Sequence, residues 1–182
     1  MDDLQCLRAY ARNDDQDAFR VVVERHSGLV YSAALRQVHD HAMAQDVTQA
    51  VFLALARKAD RLSDRTVVAA WLLRAVRFAA LHARRSLARH PRGEPLTEPV
   101  VAQLASESST PSASAPEIVE SKLDEALAAL RRRDREALVL RFLEDRTLPE
   151  VALALEISEE AAKKRLQRAL GRMRQALARR RV

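Results

Sequence analysis

Along most of this chain the apolar residues recur three or four positions apart, and no run of alternating β-branched residues stands out. The first half carries five such segments, at 4–11, 16–25, 28–38, 42–59 and 66–89. Leu29, Val30, Ala33, Ala34 and Val38 share one face of the third; Val47, Ala50, Val51, Ala54 and Leu55 share one face of the fourth. The fifth sets Val67, Val68, Trp71, Leu72, Ala75, Ala79 and Leu81 among Arg74, Arg77, Arg84 and Arg85. Such faces are buried by packing on one another, so residues 1–89 are expected to form a compact helical bundle.

The clearest pattern lies at 147–174. Thr147 and Glu150 stand in the T-x-x-E order of a capping box, and Pro149 sits in the first turn, where no amide partner is needed. Val151, Ala152 and Leu155 fall on one face of the helix that starts there. Glu156 and Ile157 lead to Ser158, a second N-cap, with Glu159 and Glu160 next, where carboxylates favour the helix dipole. Many turns of this shape have Gly where Glu156 stands, and a non-glycine residue held at positive φ costs on the order of 1 kcal/mol. In the second helix Ala162, Leu166, Ala169, Leu170, Met173 and Leu177 form the expected buried stripe. Lys163, Lys164, Gln167, Arg168, Arg172 and Arg174 lie off it. Two short capped helices in this order make a helix-turn-helix, which puts the second helix in a major groove with its cations on phosphates.

Charge strengthens that expectation. Residues 159–182 carry 9 Lys or Arg against 2 Glu, in a 182-residue chain whose net charge is +6. A charge run alone is usually a solvated helix face, and it is the double-capped spacing that favours DNA. The sequence pI of 10.2 implies a polyanionic partner, a description that fits nucleic acids and membranes alike. With 3 Gly and 4% aromatic residues the composition suits an all-α protein. Cys6 is the only cysteine, so neither an internal disulfide nor a thiolate metal cluster is expected. No apolar run approaches the ~18 residues of a membrane span, and the N-terminus MDDLQCLRAY is acidic where a signal peptide is basic. A soluble, cytoplasmic protein without membrane insertion is expected.

Five of the six prolines fall between 91 and 116, together with the serine-rich SESSTPSASAP. Residues 93–121 hold five glutamates and no Lys or Arg. Such a composition buries too little apolar surface to order itself, so 90–117 reads as a flexible acidic linker and 118–182 as a second domain. Disordered, this linker averages roughly 30 Å end to end. The expected fold is therefore all-α: two small helical domains joined by a disordered acidic linker.

Catalytic chemistry is hard to find. His26, His39, His41, His82 and His90 form no ligand pattern such as H-E-x-x-H, no P-loop is present, and no nucleophile has a paired base. No enzyme activity, metal or cofactor is expected, and His39 and His41 read as solvated loop histidines. The basic fifth segment allows two readings. Trp71 and Phe78 can be core residues, or they can be rings that stack on unpaired bases while the arginines hold phosphates.

The order DAFRVVVERHSGLVYSAALR, AQDVTQAVF, AAWLLRAVRFAALHARR and, after the linker, LRRRDREALVLRFLEDRTLPEVALALEISEEAAKKRLQRAL resembles the extracytoplasmic-function group of the bacterial sigma-70 family over nearly the whole chain. The resemblance implies a promoter-specificity subunit that binds core RNA polymerase, recognises two promoter elements and helps to melt the DNA. Asp46, Gln49 and Phe52 match the family's D-x-x-Q-x-x-F, whose helix docks on the largest polymerase subunit. Trp71, Leu72, Arg74 and Arg77 match its W-L-x-R-x-x-R helix, which faces the minus-ten element. Phe78 stands where many members have an Asn that helps to form a pocket for a flipped-out base, and His82 replaces a common Asp. Lys163, Lys164, Gln167 and Arg168 match the positions that contact the minus-thirty-five element, and the linker matches a tether lying in the polymerase cleft. Members are often held inactive by an anti-sigma factor. Without the resemblance, the residues alone imply two helical domains on an acidic tether, the second DNA-binding. That leaves a free-standing helix-turn-helix regulator, binding duplex operator DNA without polymerase, as the rival reading.

Overall fold

The structure is a computed structural model that describes residues 2–89, 98–106, 124, 126, 127 and 129–178. Among these residues the regular elements are helical: α1 (Asp3–Asn13), α2 (Gln16–Val38), α3 (His41–Lys58) with a 3₁₀ turn at Ala59–Arg61, α4 (Val68–Arg89), α5 (Glu98–Ser106), α6 (Arg132–Phe142), α7 (Leu148–Leu155) and α8 (Glu159–Ala178). They fall into two compact units, Met1–Thr66 with Leu72–Val119, and Val67–Trp71 with Glu120–Val182.

In the first unit, helix starts are set by side chains that satisfy the free groups of a first turn. The Asp2 amide donates to Gln5 Oε1 at 3.0 Å, Asp15 Oδ1 accepts from the Ala18 amide at 2.9 Å, and Asp40 Oδ1 accepts from the Met43 amide at 2.7 Å. α1 and α2 end at Asp14 and His39, both left-handed, a conformation that Asp and His adopt more readily than most residues. α1 and α3 both pack on α2, around Leu7, Val22, Val30, Val47, Val51 and Leu55. Leu72, Ala75, Val76, Ala79, Ala80 and Ala83 of α4 are buried as well.

Two elements differ from the sequence expectation. The break expected between 25 and 28 is absent, because α2 runs unbroken through His26, Ser27 and Gly28. His26 is buried, with Nε2 2.7 Å from Asp3 Oδ2, while Arg25 binds the other oxygen of the same carboxylate. A His-Ser-Gly stretch that looks like a turn is thus a core polar contact followed by two exposed positions. Burial pushes the Asp3 carboxyl up, but the hydrogen bond and charge of His26, and then the Arg25 guanidinium, outweigh it and hold the group below its ordinary value.

The second difference is α5, which lies inside the expected linker. Val101 and Leu104, one turn apart and both buried, pack it on α3. Pro99 falls in its first turn, where proline breaks no helical hydrogen bond. A segment too polar to fold alone gains this helix from a neighbour that covers its two apolar residues. The rest of the expected linker, 90–97 and 107–117, lies outside the described residues.

In the second unit α6, α7 and α8 pack on one another around Leu138, Val139, Val151, Leu155, Ala162 and Ala169. The stripe expected on α8 narrows along its length: Ala162, Leu166 and Ala169 are buried, while Leu170, Met173 and Leu177 stay partly exposed. Helix length explains this. α8 has 20 residues against 11 in α6 and 8 in α7, so it is about 30 Å long beside partners of roughly 16 and 12 Å.

Replacing Asp3 by Ala strands a buried histidine without its carboxylate, and is expected to lower the unfolding free energy by about 3 kcal/mol. Urea unfolding checks this against Asp17→Ala, an exposed residue for which a change within about 0.5 kcal/mol is expected.

Candidate nucleic-acid interface

The turn between α7 and α8 is built as its residues dictate. The Thr147 amide and hydroxyl both donate to Glu150 Oε2 at 2.7 Å, and the Ala161 amide donates to Ser158 Oγ at 3.2 Å. Between the two caps Glu156 adopts φ 54° and ψ 46°, and the Ile157 amide returns to the Ala152 carbonyl at 3.0 Å. The left-handed residue is the one at which glycine is usual, so this chain carries the strain of a Cβ there. Glu150 is held below the ordinary carboxylate range by the Thr147 hydroxyl, then by the Thr147 amide, with a further contribution from Arg146.

The cations of α8 divide into two sets. Asp134, in the first turn of α6 and only 5% exposed, accepts from Arg172 Nη1 at 2.6 Å and from Arg165 Nη1 at 3.4 Å. Arg165 and Arg172 are seven residues apart, two helical turns, and therefore share a face. Arg172 was expected among the outward cations and is instead turned towards α6. The second set, Lys163, Lys164, Gln167 and Arg168, is exposed along the opposite side. Lys164 pairs with Glu160 at 2.7 Å on that exposed surface, and Arg168 Nε donates to the Lys164 carbonyl at 3.3 Å. The structure thus brings together all four residues expected to meet duplex DNA. Asp134 escapes sequence reading because a buried aspartate in the run LRRRDREAL looks like any solvated one.

On α3, Asp46 and Gln49 are exposed one turn apart, as expected for a polar docking rim. Phe52 is not on that face. It is 8% exposed and belongs to the core, whereas Leu53, 46% exposed, continues the line of Asp46 and Gln49 into the next turn. The sequence misses Leu53 because it fits an apolar core pattern as well as Phe52 does. On α4, Trp71 is 7% exposed, which favours the core reading over base stacking. Arg77 is exposed, and Arg74 and Phe78 are half-exposed, with the Phe78 ring centroid 5.0 Å from that of His82. Elsewhere His41 Nδ1 lies 2.8 Å from the Tyr31 hydroxyl, and no cluster of three or more His, Cys, Asp or Glu that could hold a metal occurs among the described residues. No helix among them is long and apolar enough to cross a membrane.

The sequence family Sigma-70 region 2 matches residues 22–90, and Sigma-70, region 4 matches residues 120–173. RNA polymerase sigma factor CarQ of Myxococcus xanthus is 32% identical over 171 residues, which span 91% of this chain and 92% of that protein. The chain belongs to the extracytoplasmic-function group of the sigma-70 family. A second relative of this sigma factor, the probable RNA polymerase sigma factor RfaY of Xanthomonas campestris, is 28% identical over 89% of this chain and 41% of its own length. Among solved structures, CnrH in complex with the cytosolic domain of CnrY covers 98% of the chain at 24% identity and a TM-score of 0.41, the match spanning 99% of that structure's chain. RpoE in complex with the anti-sigma factor NepR from Bartonella quintana covers 90% at 19% identity and a TM-score of 0.38, over 98% of that chain.

Two predictions follow from the turn of this sigma factor. Glu156→Gly removes the left-handed strain and is expected to stabilise the second unit by about 0.5–1 kcal/mol, read as a raised thermal midpoint. Because the folded Glu150 is more acidic than the unfolded one, its contribution is complete above the unfolded pKa and is lost as pH falls through the folded one. Glu150→Gln should therefore flatten the acid side of a plot of unfolding midpoint against pH, and an unchanged acid slope would refute the role given to this cap.

Proposed function

We propose that this sigma factor uses three surfaces to direct promoter recognition and transcription initiation. The exposed line Asp46, Gln49 and Leu53 on α3 docks on core RNA polymerase, with Phe52 bracing the helix from the core side. Arg74, Arg77 and Phe78 on α4 meet the minus-ten element, and Lys163, Lys164, Gln167 and Arg168 on α8 read the minus-thirty-five element. Residues 1–89 form the region 2 domain, 118–182 the region 4 domain, and 90–117 the tether, which includes α5.

One observation carries this reading: four exposed polar or cationic side chains lie on the outward side of a helix whose other face is tied to Asp134. Chemistry suits the role. Lys and Arg reach guanine edges or phosphates, and Gln can bind adenine through two hydrogen bonds. Asp46 and Gln49 around an apolar Leu53 have the make-up of an interface, a polar rim beside an apolar contact. The protein acts in the cytoplasm, where the polymerase is, and does no chemistry of its own. A regulator like the anti-sigma factor bound to RpoE of Bartonella quintana is a candidate partner, and would act by covering one of these surfaces.

In-vitro transcription with core polymerase separates the roles. Arg168→Ala and Lys163→Ala are expected to reduce promoter-dependent initiation about tenfold while affinity for core polymerase is kept. Asp46→Ala combined with Gln49→Ala should do the reverse. Loss of core binding by the α8 variants would overturn the assignment. Absence of initiation, with tight salt-dependent binding to duplex DNA by the protein alone, would identify a free-standing regulator.

A further inference from the structure

Phe78 and His82 stand one turn apart on α4, with ring centroids 5.0 Å apart and planes inclined at 37°. Neither ring is needed to fill the core, since Leu72, Ala75, Val76, Ala79, Ala80 and Ala83 complete the buried side of the helix. Both residues are half-exposed, as are Arg74 and Arg85 on the same side, and Arg77 beside them is exposed. An accessible ring pair among arginines suits one occupant in particular. Single-stranded DNA offers π-faces for the rings and phosphates for the guanidiniums. Duplex DNA offers only base edges, because its π-faces are already stacked.

We propose that Phe78 and His82 together form a platform on which one unpaired base of melted promoter DNA stacks, and that His82 is a specificity-determining residue of this sigma factor. Phe78 has no polar atom with which to read a base, so the platform selects by stacking area and favours purines over pyrimidines. His82 extends that area by a second ring. The arginines hold the backbone on either side and add affinity that is independent of sequence. This rests on the assignment of α4 to the minus-ten element, but its test does not require polymerase.

The full chain is titrated with a labelled single-stranded oligodeoxyadenylate, with an abasic strand of the same length, and with oligodeoxythymidylate. The abasic strand keeps the phosphates and removes the stacking. Wild-type protein is expected to bind oligodeoxyadenylate at least about fivefold more tightly than the abasic strand, with oligodeoxythymidylate between them. Phe78→Leu, which keeps the apolar volume, and His82→Ala should both reduce this preference while leaving abasic affinity unchanged; Phe78→Trp should keep it. Equal wild-type affinities for the base-bearing and abasic strands would overturn the platform without any variant having to fold, as would a Phe78→Leu protein with undiminished preference. Core binding and promoter-dependent initiation by the wild-type protein report separately on the sigma-factor surfaces, so either result can fail without the other.

Discussion

Asp134 is buried in the first turn of α6, where a carboxylate is tolerable only if cations reach it, and both cations come from α8. Arg165 and Arg172 can meet it together only while one face of α8 is turned towards α6. That constraint settles which side chains the helix turns outward, and so makes Lys163, Lys164, Gln167 and Arg168 a surface rather than a scatter of charge. It also removes two arginines from the account of DNA binding. The basicity of residues 159–182 is partly structural, and the charge offered outward is smaller than the sequence total suggests.

The same device recurs in the first unit. Asp3, in the first turn of α1, takes His26 and Arg25 from the middle of α2, as Asp134 takes two arginines from α8. In each case the aspartate sits where the helix dipole favours a negative charge, and in each case the partner is a long helix that carries surface cations on its other side. Each short helix is thereby fixed in rotation against a longer one. Alanine-rich cores such as these, with few large side chains to interlock, gain most from such a polar peg.

What could be read in the sequence was what is decided locally. The capping box at Thr147 and Glu150, the Ser158 cap and the need for positive φ at Glu156 all depend on residues within one turn, and all three occur as written. The amphipathic faces of α3 and α4 were legible for the same reason. The rest depends on contacts distant in sequence. His26 looks like a turn residue until Asp3, 23 positions earlier, is placed against it. α5 looks like linker until α3 covers Val101 and Leu104. Phe52 and Leu53 are equally apolar neighbours, and only the packing of α3 decides that the first is core and the second is surface. Family motifs located the docking helix correctly but, on burial, assigned its apolar contact to the wrong one of the two.

α5 alters the mechanics of the tether. With residues 98–106 packed on α3, the chain free to span towards the second unit begins after Ser106, and the stretch from there to Asp124 has a contour of at most about 60 Å. The full span of residues 90–117 becomes available only if Val101 and Leu104 leave their buried positions. Moving two apolar side chains of that size from a core into water costs about 3–5 kcal/mol, more than thermal fluctuation supplies often. Release of α5 therefore needs a compensating interaction elsewhere. The helix that holds α5 is also the one whose exposed face carries Asp46, Gln49 and Leu53, so a change in the packing of α3 is felt at once by the docking face and by the length of the tether.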